Sequence, residues 1–498
     1  MLRSFFASLA LLVAAAAISA SPAGAASNED RAVQLLAKHR AFVGWQFGDG
    51  TFKTMRITGD VTDEKGKKTE SFTLLSSGLA YNNTYTAVQR DNVSERTGFT
   101  GRVFWRCDVS GFTTPVYGDY AKFLASYTLF EREGTTELPA TFVGDKTVDG
   151  KPAGEVRVTL QNGDPIDLYI DPDTGAYVKA TIDPDGAYET TYHIISYSDV
   201  VPGKKMLGSY RVDEGKAVHS YAKFEPNIAV TDDDLHPPAP TASWNFVSDD
   251  PVPITLTPER ILVDATVNGV KGRFILDTGA DAIVMDDRFA DRAKAEVLKG
   301  SSDAYMMQGS VKTRVRSVAN ITFGGASLQN VLVYSQDFDR DDSRGLDWQG
   351  YAGLMGFDLF AGAIVKLDVY GSKMTILPAS ADISNASGIA LNVDLSGGIP
   401  TVPMMLDKTI PVNAMLDTGN PGVVFFGPDL ISKHHLRWLG ECNNVDSLSI
   451  GPIVYEGQAA CEWGFQANYV LLGYDFLKHF DFIFDYPHGR VFMTPNKN

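Results

Sequence analysis

Three cysteines in 498 residues are too few for a disulfide-built scaffold, and no Cys-x-x-Cys pair is present to hold zinc or run redox chemistry. Histidine is sparse too, at eight residues, and the metal-binding spacing His-Glu-x-x-His is missing. So are the phosphate-cradling Gly-x-x-x-x-Gly-Lys and the nucleophile turn Gly-x-Ser-x-Gly. The one adjacent histidine pair, His434-His435, follows Pro428-Asp429 in a helix-like stretch and reads as solvated or capping. No metal and no cofactor is expected. Beyond the first 25 residues no apolar run approaches about 18 residues, so no stable membrane span is expected. Basic residues are in deficit, with Lys+Arg 44 against Asp+Glu 61 and a net charge of −17. That balance argues against nucleic acid and anionic membrane surfaces as partners.

What is present describes a folded, exported chain. Hydrophobic residues make up 44% and charged residues 21%, enough core for two or three domains and too little charge for disorder. Arg3, the apolar stretch Phe5 to Ala17 and the small residues Ala23-Gly24-Ala25 form a secretory signal peptide over residues 1–25. Cleavage near Ala25 would release a periplasmic or secreted protein. The first cysteine is Cys107, so no lipid anchor is indicated at the cleavage site.

The chemistry is concentrated in a tripeptide. Asp277-Thr278-Gly279 follows Phe-Ile-Leu, and Asp417-Thr418-Gly419 follows Ala-Met-Leu, so each Asp stands where a buried strand breaks into a tight turn. Asp173-Thr174-Gly175 lacks that setting. It follows Asp171-Pro172 and reads as a plain turn without chemistry. The first two copies each lead to a second signature, Leu354-Met355-Gly356-Phe357-Asp358 and Leu471-Leu472-Gly473-Tyr474-Asp475. The offset 473 − 356 = 117 also carries Asp368 onto Asp485 and Pro378 onto Pro495. This is an internal repeat. The tripeptide offset is 417 − 277 = 140, so the first copy holds 140 − 117 = 23 extra residues, with the acidic stretch Asp337 to Asp347 expected among them.

With these residues in view, the span from about 251 to 498 resembles the aspartic-peptidase superfamily of retropepsins and pepsins. Asp277 to Asp281, Asp-Thr-Gly-Ala-Asp, is similar to the retropepsin motif. The resemblance implies two lobes, 251–380 and 385–498, each giving one Asp to a catalytic dyad of Asp277 and Asp417. Thr278 and Thr418 would brace the turns through their hydroxyls, and Gly279 and Gly419 would let backbone and substrate approach. The chain departs from pepsins at Ala280 and Asn420, and Pro421 stiffens the second turn. The chemistry also follows from the residues themselves, since amide hydrolysis needs a base for water and an acid for the departing nitrogen. Two carboxylates that share one proton supply both. With both lobes in one chain the site needs no dimer, and a monomer acting on a peptide or protein substrate is expected. Two alternatives stay open: a catalytically weak peptide-binding module, and an envelope lipid or lipoprotein carrier with a vestigial peptidase fold.

The fold expected overall is mainly β, a two-lobed aspartic-peptidase-like β-barrel domain preceded by a strand-rich antiparallel domain with a helix. Residues 27–225 open with that helix, capped by Ser27, with Ala32, Leu35, Leu36 and His39 on one face. Strands follow at Glu155–Leu160, Ile166–Ile170 and Tyr177–Ile182, an antiparallel meander curved around a helix or closing toward a barrel. Its layout weakly resembles the half-barrel of periplasmic lipoprotein carriers. Prolines 237, 238 and 240, with 251 and 253 just beyond, mark 226–250 as an extended linker, with Trp244 and Phe246 as residues able to pin it. In the first lobe, strands are expected at Ile261–Val267, Arg273–Leu276, Val311–Phe323 and Val331–Tyr334. Tyr305 to Ser310 occupies the place of a flap, or else Met306-Met307 simply fill core. Cys442 and Cys461 share a lobe and are available to pair, which would leave Cys107 free.

Overall fold

The computed structural model describes residues 28–496 apart from 88–93, 185, 187, 214–215, 299–301, 307–308, 339–349, 437–441 and 463–468. The expected signal peptide, the Ser27 cap and most of Asp337 to Asp347 therefore lie outside the described residues. No described helix is long and apolar enough to cross a membrane.

The first domain is one antiparallel sheet of thirteen strands. Six strands step outward from Thr54–Thr62 to Thr113–Val116. After the helix Gly118–Glu131, seven more step back from Ala140–Val148 to Val218–Pro226, which pairs with the first strand. The two edges do not pair among the described residues. Helix Asn28–Val43 turns Ala32, Leu35, Leu36, His39 and Val43 inward. That is the face expected from their three- and four-residue spacing, and it packs against fully buried Val156, Ile170 and Leu207. The buried His39 ring stacks on Tyr177 with centroids 3.4 Å apart. Its ring nitrogens meet Gly175 O at 2.8 Å and Glu133 Oε2 at 2.7 Å. The third tripeptide, Asp173 to Gly175, is thus a turn docked on the first helix, its amides held by Asp171 Oδ1.

The expected linker is extended only in part. Thr231 caps a short helix, Asp232–Leu235, and Ser243–Phe246 adds as a strand to Ala326–Gln329 of the first lobe. Trp244 and Phe246 stack there with centroids 5.8 Å apart. Apolar area on two large rings outweighs the proline-rich composition around them.

Two closed rings follow. In the first, Ile261–Val267 pairs with Val270–Leu276, then Gly353–Met355, Val284–Asp286, Ala326–Gln336 and Gly309–Phe323, which returns to the first strand. The second has the same order: Thr401–Leu406, Ile410–Leu416, Val470–Leu472, Val424–Phe426, Ile453–Glu462 and Cys442–Ile450. The turn Asn268-Gly269 has positive φ at both residues, 46° and 88°, as a tight hairpin requires. A six-stranded sheet joins the rings, and Ala363–Asp368 meets Phe480–Asp485 at its centre. Those two strands are offset by the 117 residues of the sequence repeat. One apolar core, including Phe274, Phe360, Phe426 and Phe484, runs through both lobes. Histidines 434 and 435 lie at the end of helix Pro428–Lys433, because the helix stops after six residues. Cys442 and Cys461 are disulfide-bonded across the second ring, and Cys107 is free and buried.

Candidate active site

Each Asp-Thr-Gly turn leaves the end of a buried strand that lies parallel to a Leu-Met or Leu-Leu strand. Ile275 pairs with Leu354 and Met415 with Leu471. That parallel strand takes up the Asp amides, Asp277 N donating to Met355 O at 3.0 Å and Asp417 N to Leu472 O at 2.9 Å. Gly356 and Gly473 pass so close to the turns that only a residue without Cβ fits. A Cβ on Gly356 would lie 2.1 Å from Ala282 O, and one on Gly473 2.2 Å from Gly422 O.

The two turns face each other and are cross-braced. Thr278 Oγ1 donates to Leu416 O at 2.6 Å and accepts Thr418 N at 3.0 Å. Thr418 Oγ1 donates to Leu276 O at 2.8 Å and accepts Thr278 N at 3.1 Å. Both threonines are buried, at 2% and 0% exposure, so each hydroxyl replaces water on two backbone groups of the other lobe. Gly279 N donates to Asp277 Oδ1 at 2.9 Å, and Gly419 N and Asn420 N donate to Asp417 Oδ1 at 2.9 and 3.1 Å. These bonds pin each carboxyl toward its opposite turn: a Cβ on Gly279 would meet Asp417 Cγ at 2.4 Å, and one on Gly419 would meet Asp277 Cγ at 2.2 Å.

The two carboxyls are in hydrogen-bonding contact. Burial pushes Asp417 well above the ordinary carboxylate range, and the charge of Asp277 adds to it against the Gly419 and Asn420 amides. Burial also raises Asp277, to about 6, opposed by the Gly279 amide, the contact with Asp417 and the positive charge of Arg260. With both carboxyls raised, such a coupled pair keeps a proton between its oxygens well beyond the pH at which free carboxyls ionise.

Asn420 does more than fill the position after the second turn. Its Oδ1 accepts Gly422 N at 2.9 Å and its carbonyl accepts Tyr474 N at 2.6 Å, tying the turn to the second signature. Ala280 makes only the backbone version of that bond, from Phe357 N at 3.0 Å. Asp358, read from sequence only as a register marker, is buried at 2% exposure and accepts Ile283 N at 2.7 Å. At the segment read as either a flap or core filling, Ser302–Met306 and Gly309–Phe323 form a hairpin, its tip at 307–308 outside the described residues. A surface groove of about 550 Å³ lined by Asp119, Met404, Val412, Leu430 and Lys433 contains no residue of the dyad turns.

Residues 263–359 match the family model for aspartyl protease. The matched span holds the first turn and its following signature, and the second lobe repeats their arrangement. No curated protein matches the chain. Among solved structures, a DUF1329 family protein from Desulfovibrio piger is similar at 11% identity and a TM-score of 0.31, over 42% of this chain and 98% of that one. A putative outer membrane lipoprotein-sorting protein domain from Vibrio parahaemolyticus is similar at 10% identity and a TM-score of 0.30, over 42% and 97%. Likenesses of that size bear on no functional argument.

Proposed function

We propose that the protein is an exported aspartic endopeptidase in which Asp277 and Asp417 activate water between them and cleave peptide bonds. The observation that carries this reading is the contact of two carboxyls, Asp417 buried and Asp277 half-buried, on repeated, cross-braced turns. The ionised member takes a proton from water, and the protonated member polarises the scissile carbonyl. The proton then reaches the departing nitrogen, so one pair serves as base and acid in turn. Burial supports the chemistry by keeping one proton on the pair. Thr278 and Thr418 hold the geometry, and Gly279 and Gly419 leave room at the carboxyls. Export rests on the signal-peptide pattern of residues 1–25.

Cleavage of a denatured protein across acidic to neutral pH tests this reading. It predicts a bell-shaped rate, blocked by a statine-type inhibitor whose hydroxyl replaces the attacking water and untouched by chelators. Binding of the statine compound without cleavage at any pH would favour the peptide-binding alternative.

A further inference from the structure

The first domain meets the second half of the chain at several points, among them Tyr188 Oη donating to Asp394 Oδ2 at 2.8 Å, and it inserts one loop into the core of the lobes. Strands Phe104–Cys107 and Thr113–Val116 form a hairpin, and its loop is closed on itself by Phe112 N donating to Asp108 Oδ1 at 2.9 Å. Ser110 binds both backbone groups of Leu332, accepting from its amide at 3.1 Å and donating to its carbonyl at 3.3 Å. The Ser110 carbonyl in turn accepts Ala242 N at 3.0 Å and Thr241 Oγ1 at 2.7 Å. Phe112 is part of the lobes' own core. It packs so tightly on the end of helix Phe357–Ala361 that a Cβ on Gly362 would lie 2.3 Å from its ring.

That helix holds the segment following Asp277 at both ends, through Phe357 N on Ala280 O and Asp358 Oδ2 on Ile283 N. We propose that loop 108–112 is a positioning element of the Asp277 turn, acting through Asp108 against Asp358, and that its hold is set by protons on these two carboxyls. The role assigned to the turn rests on the peptidase reading above; the brace itself does not.

Asp108 and Asp358 come from different domains and are both buried, at 8% and 2% exposure. Asp108 Oδ2 has no hydrogen-bond partner among the described residues. The charged and titratable groups facing them are few. Arg106, Glu95, Arg96 and Cys107 come from the sheet, and Asp281 from the turn. Burial raises Asp358 well above its ordinary range, and the charges of Asp108 and Asp281 add to it. Burial raises Asp108 to about 6 against the Phe112 amide and Arg106. A carboxyl raised on docking holds a proton that the undocked one releases above about pH 4. Docking is therefore strongest in acid, and weakens as pH rises through the raised values. The matching place in the second lobe is built differently. Asp475, the repeat partner of Asp358, is 37% exposed and pairs with Lys478 at 2.6 Å.

The test is amide hydrogen exchange of the full chain followed by mass spectrometry, with rates corrected for the intrinsic effect of pH. Protection of segments 108–112, 277–283 and 357–362 is expected to fall together, by about tenfold between about pH 5 and 8, while 474–477 stays flat. Asp108→Asn and Asp358→Asn keep the shape of the protonated acids and should each flatten that dependence. Asp108→Asn should also move the alkaline limb of kcat/KM upward without changing statine binding in acid. Wild-type protection that is flat in pH, or variants that keep the wild-type dependence, overturns the proposal. The wild-type series decides alone if a variant does not fold. Because exchange needs no turnover, a chain that neither cleaves peptides nor binds the statine compound would sink the peptidase reading and leave the brace to be judged by exchange.

Discussion

The two lobes close the same six-strand ring in the same order, present the same tripeptide and exchange the same threonine bonds, yet they differ in what stands behind each turn. Behind Asp277, the helix carries a buried carboxyl, Asp358, and is covered by Phe112 of the first domain. Behind Asp417, the matching helix carries a half-exposed Asp475 paired with Lys478, and the turn is stiffened locally by Asn420 and Pro421. The contrast teaches that the two lobes share the geometry of the facing turns, while support for each turn comes from a different source: from another domain in one lobe, from a side-chain amide in the other.

Equivalence at the centre is the claim with the largest expected effect. Asp277→Asn and Asp417→Asn should each lower kcat/KM by about 10²–10⁴-fold with little change in melting temperature, since general acid–base roles of that size are lost while shape is kept. Full activity in either variant would break the equivalence. Next come the close-approach glycines. Gly356→Ala and Gly473→Ala each place a methyl against a backbone carbonyl at 2.1 and 2.2 Å, and should cost about 1–3 kcal/mol in denaturant unfolding. A loss in one lobe alone would show that only that turn is tightly held.

Thr278→Val and Thr418→Val should be smaller and nearly equal, about 1–2 kcal/mol each, because each strips partners from two buried backbone groups across the lobe boundary. The double variant should cost less than the sum, as both act on one interaction. Smallest is Lys478→Ala. Its partner is 37% exposed, so solvent screening limits the loss to about 0.5 kcal/mol, and a loss above about 2 kcal/mol would mean that the second turn depends on this pair after all.

Much of this arrangement was legible in the sequence because it is local or periodic. Strands Ile166–Ile170, Tyr177–Ile182 and Ile261–Val267 have the expected bounds, each an apolar run cut off by Asn, Asp, Pro or Gly turn residues. The pairing of the two tripeptide turns was legible from repetition, since two tripeptides with matching second signatures in register are hard to meet by chance. What escaped was non-local. Ser110 bonds to Leu332 across 222 residues, and Ser243–Phe246 joins a strand more than eighty positions further on; neither leaves a periodic trace. Asp358 stood in plain view as the counterpart of Asp475, but identical residues in a repeat do not reveal that one is buried and the other half-exposed. Asp108-Val109-Ser110-Gly111 reads as an ordinary polar turn, and only the packed structure shows where it is inserted.

Carboxyl carbon NMR titration of the dyad, with labelled Asp in the full chain, measures the central claim most directly: two turns from two lobes share one proton. The pair is expected to titrate as coupled groups, with one carboxyl still protonated above the ordinary range. In Asp277→Asn the remaining Asp417 should titrate at distinctly lower pH than in the wild type, because one cause of its elevation, the neighbouring charge, has been removed. An Asp417 titration that does not move in that variant would show that the carboxyls do not share a proton, and would contradict the account.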